Sequence, residues 1–377
     1  MRIWSAAILD RMAKASYRTN MITTLLGTWF TIGLFLDAWA HNNVPELETF
    51  FTPWHAVFYS GFFATAAWIA WTVKDALRGG WRGLRAMPAG YGAAVVALVS
   101  FGVFAVGDMI WHVVFGVEQN INILFSPTHI GLITSMIVIV TTPLRAAWAD
   151  PDLPDAPGLR RLLPAVLSFA LATTQVLLLV QYVNALTYSS GGVVIALSAG
   201  DQDRTAGFVS SLAVTTLVIG APLLTIARRF ALPFGAATIL YALLGVLSGA
   251  ITGFRDVPLL VAFLAAGVVV DLLARYLNPA PSRLWRYRLF AALSPLLTWT
   301  VYILTAYYTA PPIAPRFLGD VEHPEGALEL WTGVPVVQAA LGLLLAVLLV
   351  PVHRPDPPRG QVEQPGETND LEPAVQR

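Results

Sequence analysis

The chain has 377 residues, 56% of them hydrophobic and 12% charged, with 23 basic and 23 acidic side chains. With a mean hydropathy of +0.64, too little charge remains to cover a soluble fold of this length, so the apolar excess has to face lipid. The absence of cysteine removes disulfides, thiolate metal sites and thiol nucleophiles, and a net charge of zero gives no attraction to nucleic acid.

In chain order, stretches apolar enough to cross a bilayer run over 21–40, 55–73, 91–114, 128–147, 162–186, 207–227, 232–253, 257–277, 288–310 and 331–352. The expected fold is therefore all-α, a polytopic integral-membrane helical bundle of about ten transmembrane helices. Segment 1–20 precedes the first span. Residues 21–147 form a four-span region, 148–352 a six-span region, and 353–377 a Pro-, Gly- and Glu-rich tail predicted to be disordered. The basic residues cluster in alternate joints. Arg2, Arg11, Lys14, Arg18, Lys74, Arg78, Arg82, Arg85, Arg145, Arg160 and Arg161 fall on one side in the first half. Arg228, Arg229, Arg275, Arg283, Arg286, Arg288, Arg354, Arg359 and Arg377 join them there, leaving Arg204, Arg255 and Arg316 opposite. The positive-inside rule then places both termini in the cytoplasm of a multi-pass plasma-membrane protein. A basic start followed by an apolar run and Ala38-Trp39-Ala40 imitates a signal peptide, but Asp37 beside the cut and a run long enough to span argue against cleavage.

Four of the six histidines fall into a repeated pattern on the predicted outer face. The first copy reads Asp37-Ala-Trp-Ala-His41, a loop, then Phe51-Thr52-Pro53-Trp54-His55. The second reads Asp108-Met-Ile-Trp-His112, a loop, then Phe125-Ser126-Pro127-Thr128-His129. Asp and His four residues apart share one helix face. Thr52-Pro53 and Ser126-Pro127 are helix-start signals, a hydroxyl cap followed by proline, which puts His55 and His129 in first turns. There the positive end of the helix dipole disfavours an imidazolium and suits a neutral, metal-ready ring. Asp37 and Asp108, near helix C-termini, need a compensating cation for the same reason. Each hairpin thus offers a metal set of one carboxylate and two imidazoles: Asp37, His41 and His55, then Asp108, His112 and His129. Such a set suits copper, iron or zinc. Glu46, Glu48 and Glu118 in the same loops are candidate supporting partners, further ligands or general bases. Paired Asp–His helix caps are the plain structural alternative, and it is the repetition that favours metal.

Elsewhere, Gln175, Gln181 and Asn184 are expected on the fifth span, lining a cavity or bonding neighbouring helices. Asp271 with Arg275 four residues on reads as an ion pair, and Tyr182, Tyr188, Tyr307, Tyr308 and Trp331 as an outer aromatic belt. His323 reads as an ordinary loop residue, and His353 is assigned no role.

The pattern resembles the metal-binding helices of the C subunit of the copper membrane monooxygenases, the particulate methane and ammonia monooxygenases. That subunit carries an Asp, His, His site whose second His lies in a Phe-Thr-Pro-Ser-His string. An Asn, His, His site follows, with a Glu six residues after its first His. Asp37, His41 and His55 match the first site. Asp108, His112 and His129 match the second, and Glu118 stands six after His112. Asp108 where the family has Asn keeps an oxygen donor and adds a charge. The likeness covers the first four spans only.

The resemblance implies copper, and a monooxygenase or a subunit of one acting on a small apolar substrate, with other membrane subunits or a homo-oligomer as partners in the bilayer. Two other readings stand beside it. One is a zinc-dependent membrane hydrolase, with Glu118 or Glu48 as general base. The other is a non-enzymatic metal-handling or assembly subunit. A transporter is the least supported, because the donor trail stops at the outer face.

Overall fold

Helices form wherever the chain is apolar, because backbone N–H and C=O groups in hydrocarbon must bond within their own segment. The computed structural model describes residues 14–44, 52–80, 86–116, 125–312 and 328–351, and no strand occurs among them. The helices are α1 (Tyr17–Asn43), α2 (Pro53–Arg78), α3 (Tyr91–Phe115), α4 (Pro127–Val140), α5 (Thr142–Ala149) and α6 (Leu159–Leu179). They continue with α7 (Ser190–Ser198), α8 (Gln202–Arg229), α9 (Ala236–Ile251), α10 (Val257–Leu277), α11 (Leu284–Thr309) and α12 (Leu328–Leu349). Eight are long and apolar enough to span a membrane, and α4 with α5, counted as one bent span, brings the number to nine. The remaining predicted span, 232–253, is the 16-residue α9, only about 24 Å long against a hydrocarbon core of about 30 Å.

Side-chain hydroxyls and carboxylates fix many of the starts. Ser16, Thr52, Ser126 and Asp256 each accept an N–H from the first turn of the helix they precede. Exposed apolar residues then mark the lipid side. On α3, Val96, Val99, Val103, Val106, Ile110 and Val113 are all exposed, a stripe at spacings of three and four along one helix face.

Two cores result. In the first four spans, Phe30, Phe58, Phe62 and Phe101 pack with Tyr91, Leu132 and Met136. The Phe62 and Phe101 rings stack at 4.3 Å. The larger core, from α6 to α12, is built on Phe208, Leu244, Phe263, Phe290, Trp299 and Tyr302. Buried hydrogen bonds between α1 and α6, from Gln175 to Thr31 (2.8 Å) and from Thr24 to the Pro164 carbonyl (3.3 Å), join the halves.

Two sequence expectations need correction, and the fourth span carries a feature of its own. It bends by 40° between α4 and α5, where Pro143 in the first turn of α5 lacks an N–H to continue the ladder. Arg145 fills the break, donating to the carbonyls of Val138 (2.7 Å) and Gly90 (3.1 Å) and to the hydroxyls of Thr141 and Thr142.

The fifth span stops at Leu179 instead of 186 and continues as two short 3-10 turns, Gln181–Val183 and Ala185–Thr187, before the unforeseen helix α7. Gln181 therefore lies in the first of these turns and Asn184 between the two, not on a spanning helix. The backbone can leave the helix because other helices satisfy it. Thr215 of α8 accepts the Ala185 N–H (3.0 Å), and Tyr302 of α11 donates to the Ala185 carbonyl (2.9 Å). The Asn184 side chain accepts from the Leu186 N–H and donates to Ser248 of α9.

The second correction is Asp271, which does not pair with Arg275. Its carboxylate, 1% exposed, accepts the N–H groups of Ala237 (3.0 Å) and Thr238 (2.9 Å) and the Thr238 hydroxyl (2.6 Å). It thus caps α9, which has no side-chain cap of its own.

One close approach positions the first hairpin. A Cβ at Gly33 would lie 2.7 Å from the Cα of Phe58, and a Cβ at Gly61 would lie 2.7 Å from the Cα of Phe30. These two glycines let α1 and α2 touch backbone to backbone just inside the predicted site.

Candidate metal centre

Each hairpin closes the same way at its loop end. Asp37 and His41 stand one turn apart near the end of α1. Thr52 accepts the His55 N–H at 3.1 Å and aims His55 from the first turn of α2 back at them. Asp108 and His112 repeat this near the end of α3. There Ser126 accepts the His129 N–H at 3.1 Å in the first turn of α4. The structure brings the six residues together as two groups, Asp37, His41 and His55, and Asp108, His112 and His129. Within each, one donor atom per residue lies within 4.8 Å of the others, and each group can hold a metal ion.

The distances leave room for a shared cation. His55 Nε2 lies 3.4 Å and His41 Nε2 3.8 Å from Asp37 Oδ2. His112 Nε2 is 3.4 Å from Asp108 Oδ2, and His129 Nδ1 3.2 Å from Asp108 Oδ1. A charge-assisted hydrogen bond would be about 2.7–2.9 Å. Two ligands each about 2.1 Å from a tetrahedral metal stand about 3.4 Å apart.

Charge points the same way. Asp37 is 9% and Asp108 2% exposed, and among the described residues their ion-pair partners are histidines alone. A buried carboxylate without Lys or Arg is costly unless something positive sits with it. His41 Nδ1 is buried without a hydrogen-bond partner among the described residues.

The surrounding groups orient the donors. The Thr52 hydroxyl lies 3.1 Å from His55 Nδ1, leaving Nε2 toward Asp37. His112 Nδ1 faces the Gly116 carbonyl at 3.4 Å, again leaving Nε2 inward. The second site differs in one respect: Thr128 donates to Asp108 Oδ1 at 2.8 Å. Position 128 corresponds to Trp54 in the first copy, where the indole packs on Trp39 instead (5.8 Å).

Two residues here escape sequence reasoning. Thr128 gave no signal beyond being a hydroxyl beside a proline. Tyr59, one turn after His55 and stacked on its ring (6.2 Å), lies within electrostatic reach of both Asp37 and Asp108. The spacing of four from His55 was the available clue. The two triads are themselves neighbours, since Asp37 feels the charges of Asp108 and His112. Glu46, Glu48, Glu118, His323 and His353 lie outside the described residues.

Comparison with protein-family models, with curated proteins and with solved structures finds no match. The chain is a multi-pass helical protein of membrane-spanning character with two Asp/His/His groups able to bind metal.

Proposed function

We propose that the chain is a membrane metalloprotein related to the C subunit of the copper membrane monooxygenases, acting as a copper-dependent oxygenase or as one subunit of it on a small apolar substrate. The observation that carries this reading is the duplicated site: two buried carboxylates, each facing two imidazoles, at the loop ends of successive hairpins. Asp37, His41 and His55 would hold one ion, and Asp108, His112 and His129 the other. Copper, when bound, supplies one-electron and dioxygen chemistry.

The chain's own residues do the rest. Three protein donors per site leave coordination positions open. The Thr52 and Ser126 caps fix the second histidine of each set, and Thr128 fixes Asp108. Met109, Ile110 and Val113, next to Asp108 and His112 on α3, are exposed, which sets the second site on a helix whose other face meets lipid.

The test is metal identity and reactivity together. Membranes expressing the chain are loaded with copper, iron or zinc, and the product of a short alkane with dioxygen and a reductant is assayed. Copper spectra with nitrogen and oxygen ligands, and alcohol formed only by the copper form, support the reading. Zinc as the retained metal, with no oxidation of any substrate, refutes it.

A further inference from the structure

At the end of the bundle opposite the triads, the start of α11, with Leu343 of α12, lines a shallow open groove of about 1090 Å³. Its lining includes Arg283, Arg286, Arg288, Trp285, Leu289 and Leu343. Among the described residues these arginines have no carboxylate partner, and Arg286 lies over the Trp285 ring at 5.2 Å. Among the described residues, lysine and arginine pair with carboxylates at Lys14 with Asp150 and Asp152, Arg78 with Asp75, Arg204 with Asp201, and Arg229 with Asp155. None of the three groove arginines is in that set, and Arg288 Nε is buried without a hydrogen-bond partner among the described residues. No carboxylate lies in the first turn of α11 to offset the arginines.

The walls are as informative as the charges. Trp285 is 63% exposed, and Leu289 and Leu343 are exposed beside it. Along α12 the apolar surface runs on through Leu344 and Leu348. A free anion has no use for such walls, whereas a phospholipid has a phosphate for the arginines and acyl chains for the leucines. The joint between α10 and α11 also lies on the arginine-rich side of the chain, where anionic lipids of the inner leaflet concentrate basic segments.

We infer that this groove binds the headgroup phosphate of an anionic phospholipid, held by Arg283, Arg286 and Arg288 with its acyl chains along Leu289 and Leu343. The site is independent of the metal centre.

The full chain, purified in a zwitterionic detergent, is titrated with phosphatidylglycerol and separately with phosphatidylcholine, and retained lipid is counted by native mass spectrometry. Phosphatidylglycerol is expected to bind in preference. Each arginine replaced by Gln should weaken it roughly fivefold, and Arg283→Gln/Arg286→Gln/Arg288→Gln on the order of a hundredfold. Arg160→Gln/Arg161→Gln, on the same side of the chain, should leave binding unchanged. Leu343→Trp fills the groove without removing charge and should also displace lipid, so the proposal stays testable if the triple variant misfolds. Equal retention of both lipids, or a triple variant that folds and still binds, overturns it. Full competition by inorganic phosphate also overturns it, by making the groove a free-anion site. Retention seen only after residues 353–377 are removed overturns it too, by making the tail, with its carboxylates Asp356, Glu363, Glu367, Asp370 and Glu372, the occupant.

Discussion

Replacing Gly61 by Ala should remove metal from the first site and leave the second intact. The added Cβ would lie 2.7 Å from Phe30 Cα and 2.9 Å from Phe30 N. Ordinary carbon contacts are about 3.5–4.0 Å, so α1 and α2 must part by roughly 0.8 Å. The obstacle is backbone, which cannot rotate aside as a side-chain tip can. Overpacking of this kind costs about 1–3 kcal/mol, a loss of stability the bundle should survive. The site should not. His55 lies six residues before Gly61 on the same helix, and its Nε2 stands 3.4 Å from Asp37 Oδ2. A metal site needs its donors placed to within about 0.2 Å. The assay is bound metal per chain with the thermal midpoint measured alongside. Gly102→Ala on α3, where a Cβ meets nothing within 4 Å, serves as the control. The expected result is loss of one equivalent of metal for Gly61→Ala and none for Gly102→Ala. If Gly61→Ala keeps both equivalents at wild-type affinity, the close approach does not position His55 and the packing argument is wrong.

Other outcomes follow from single contacts. Thr128→Val removes the hydroxyl that donates to Asp108 Oδ1 while keeping its shape, and should weaken the second site about 10–100-fold, read by competition with a chelator, with the first site unchanged. Asp271→Ala leaves two N–H groups at the start of α9 without their acceptor. It should cost about 2–4 kcal/mol in denaturant or thermal unfolding without altering metal content. Arg275→Ala, by contrast, should change stability by less than about 0.5 kcal/mol, because Asp271 makes its bonds to α9 instead.

Much of this could be read from the sequence because it is local. Apolar length alone located the spans, and the hydroxyl–proline pairs at 52–53 and 126–127 marked helix starts that the structure shows with their capping bonds. The spacing of four placed Asp37 with His41 and Asp108 with His112 on common helix faces. What escaped depends on contacts distant in sequence. The end of the fifth span at Leu179 is set by Thr215, Ser248 and Tyr302, each from another helix, and nothing in residues 162–186 announces them. Asp271 was misread because its true partners, at 237 and 238, lie more than thirty residues earlier. The adjacency of the two triads, and Tyr59 near both, follows from how α2 packs on α3 around Phe62 and Phe101, which no spacing in the chain encodes.

The central claim, that both triads bind metal, is tested most directly by elemental analysis of purified protein. Wild type is compared with His55→Ala, with His129→Ala, and with a variant carrying Ala at His41, His55, His112 and His129. The account predicts two equivalents of metal in the wild type, one in each single variant and none in the quadruple variant, with all four proteins folded. Metal unchanged in the quadruple variant, or absent from a wild-type protein reconstituted with copper, iron and zinc in turn, would contradict it and leave the four histidines as partners of Asp37 and Asp108 alone.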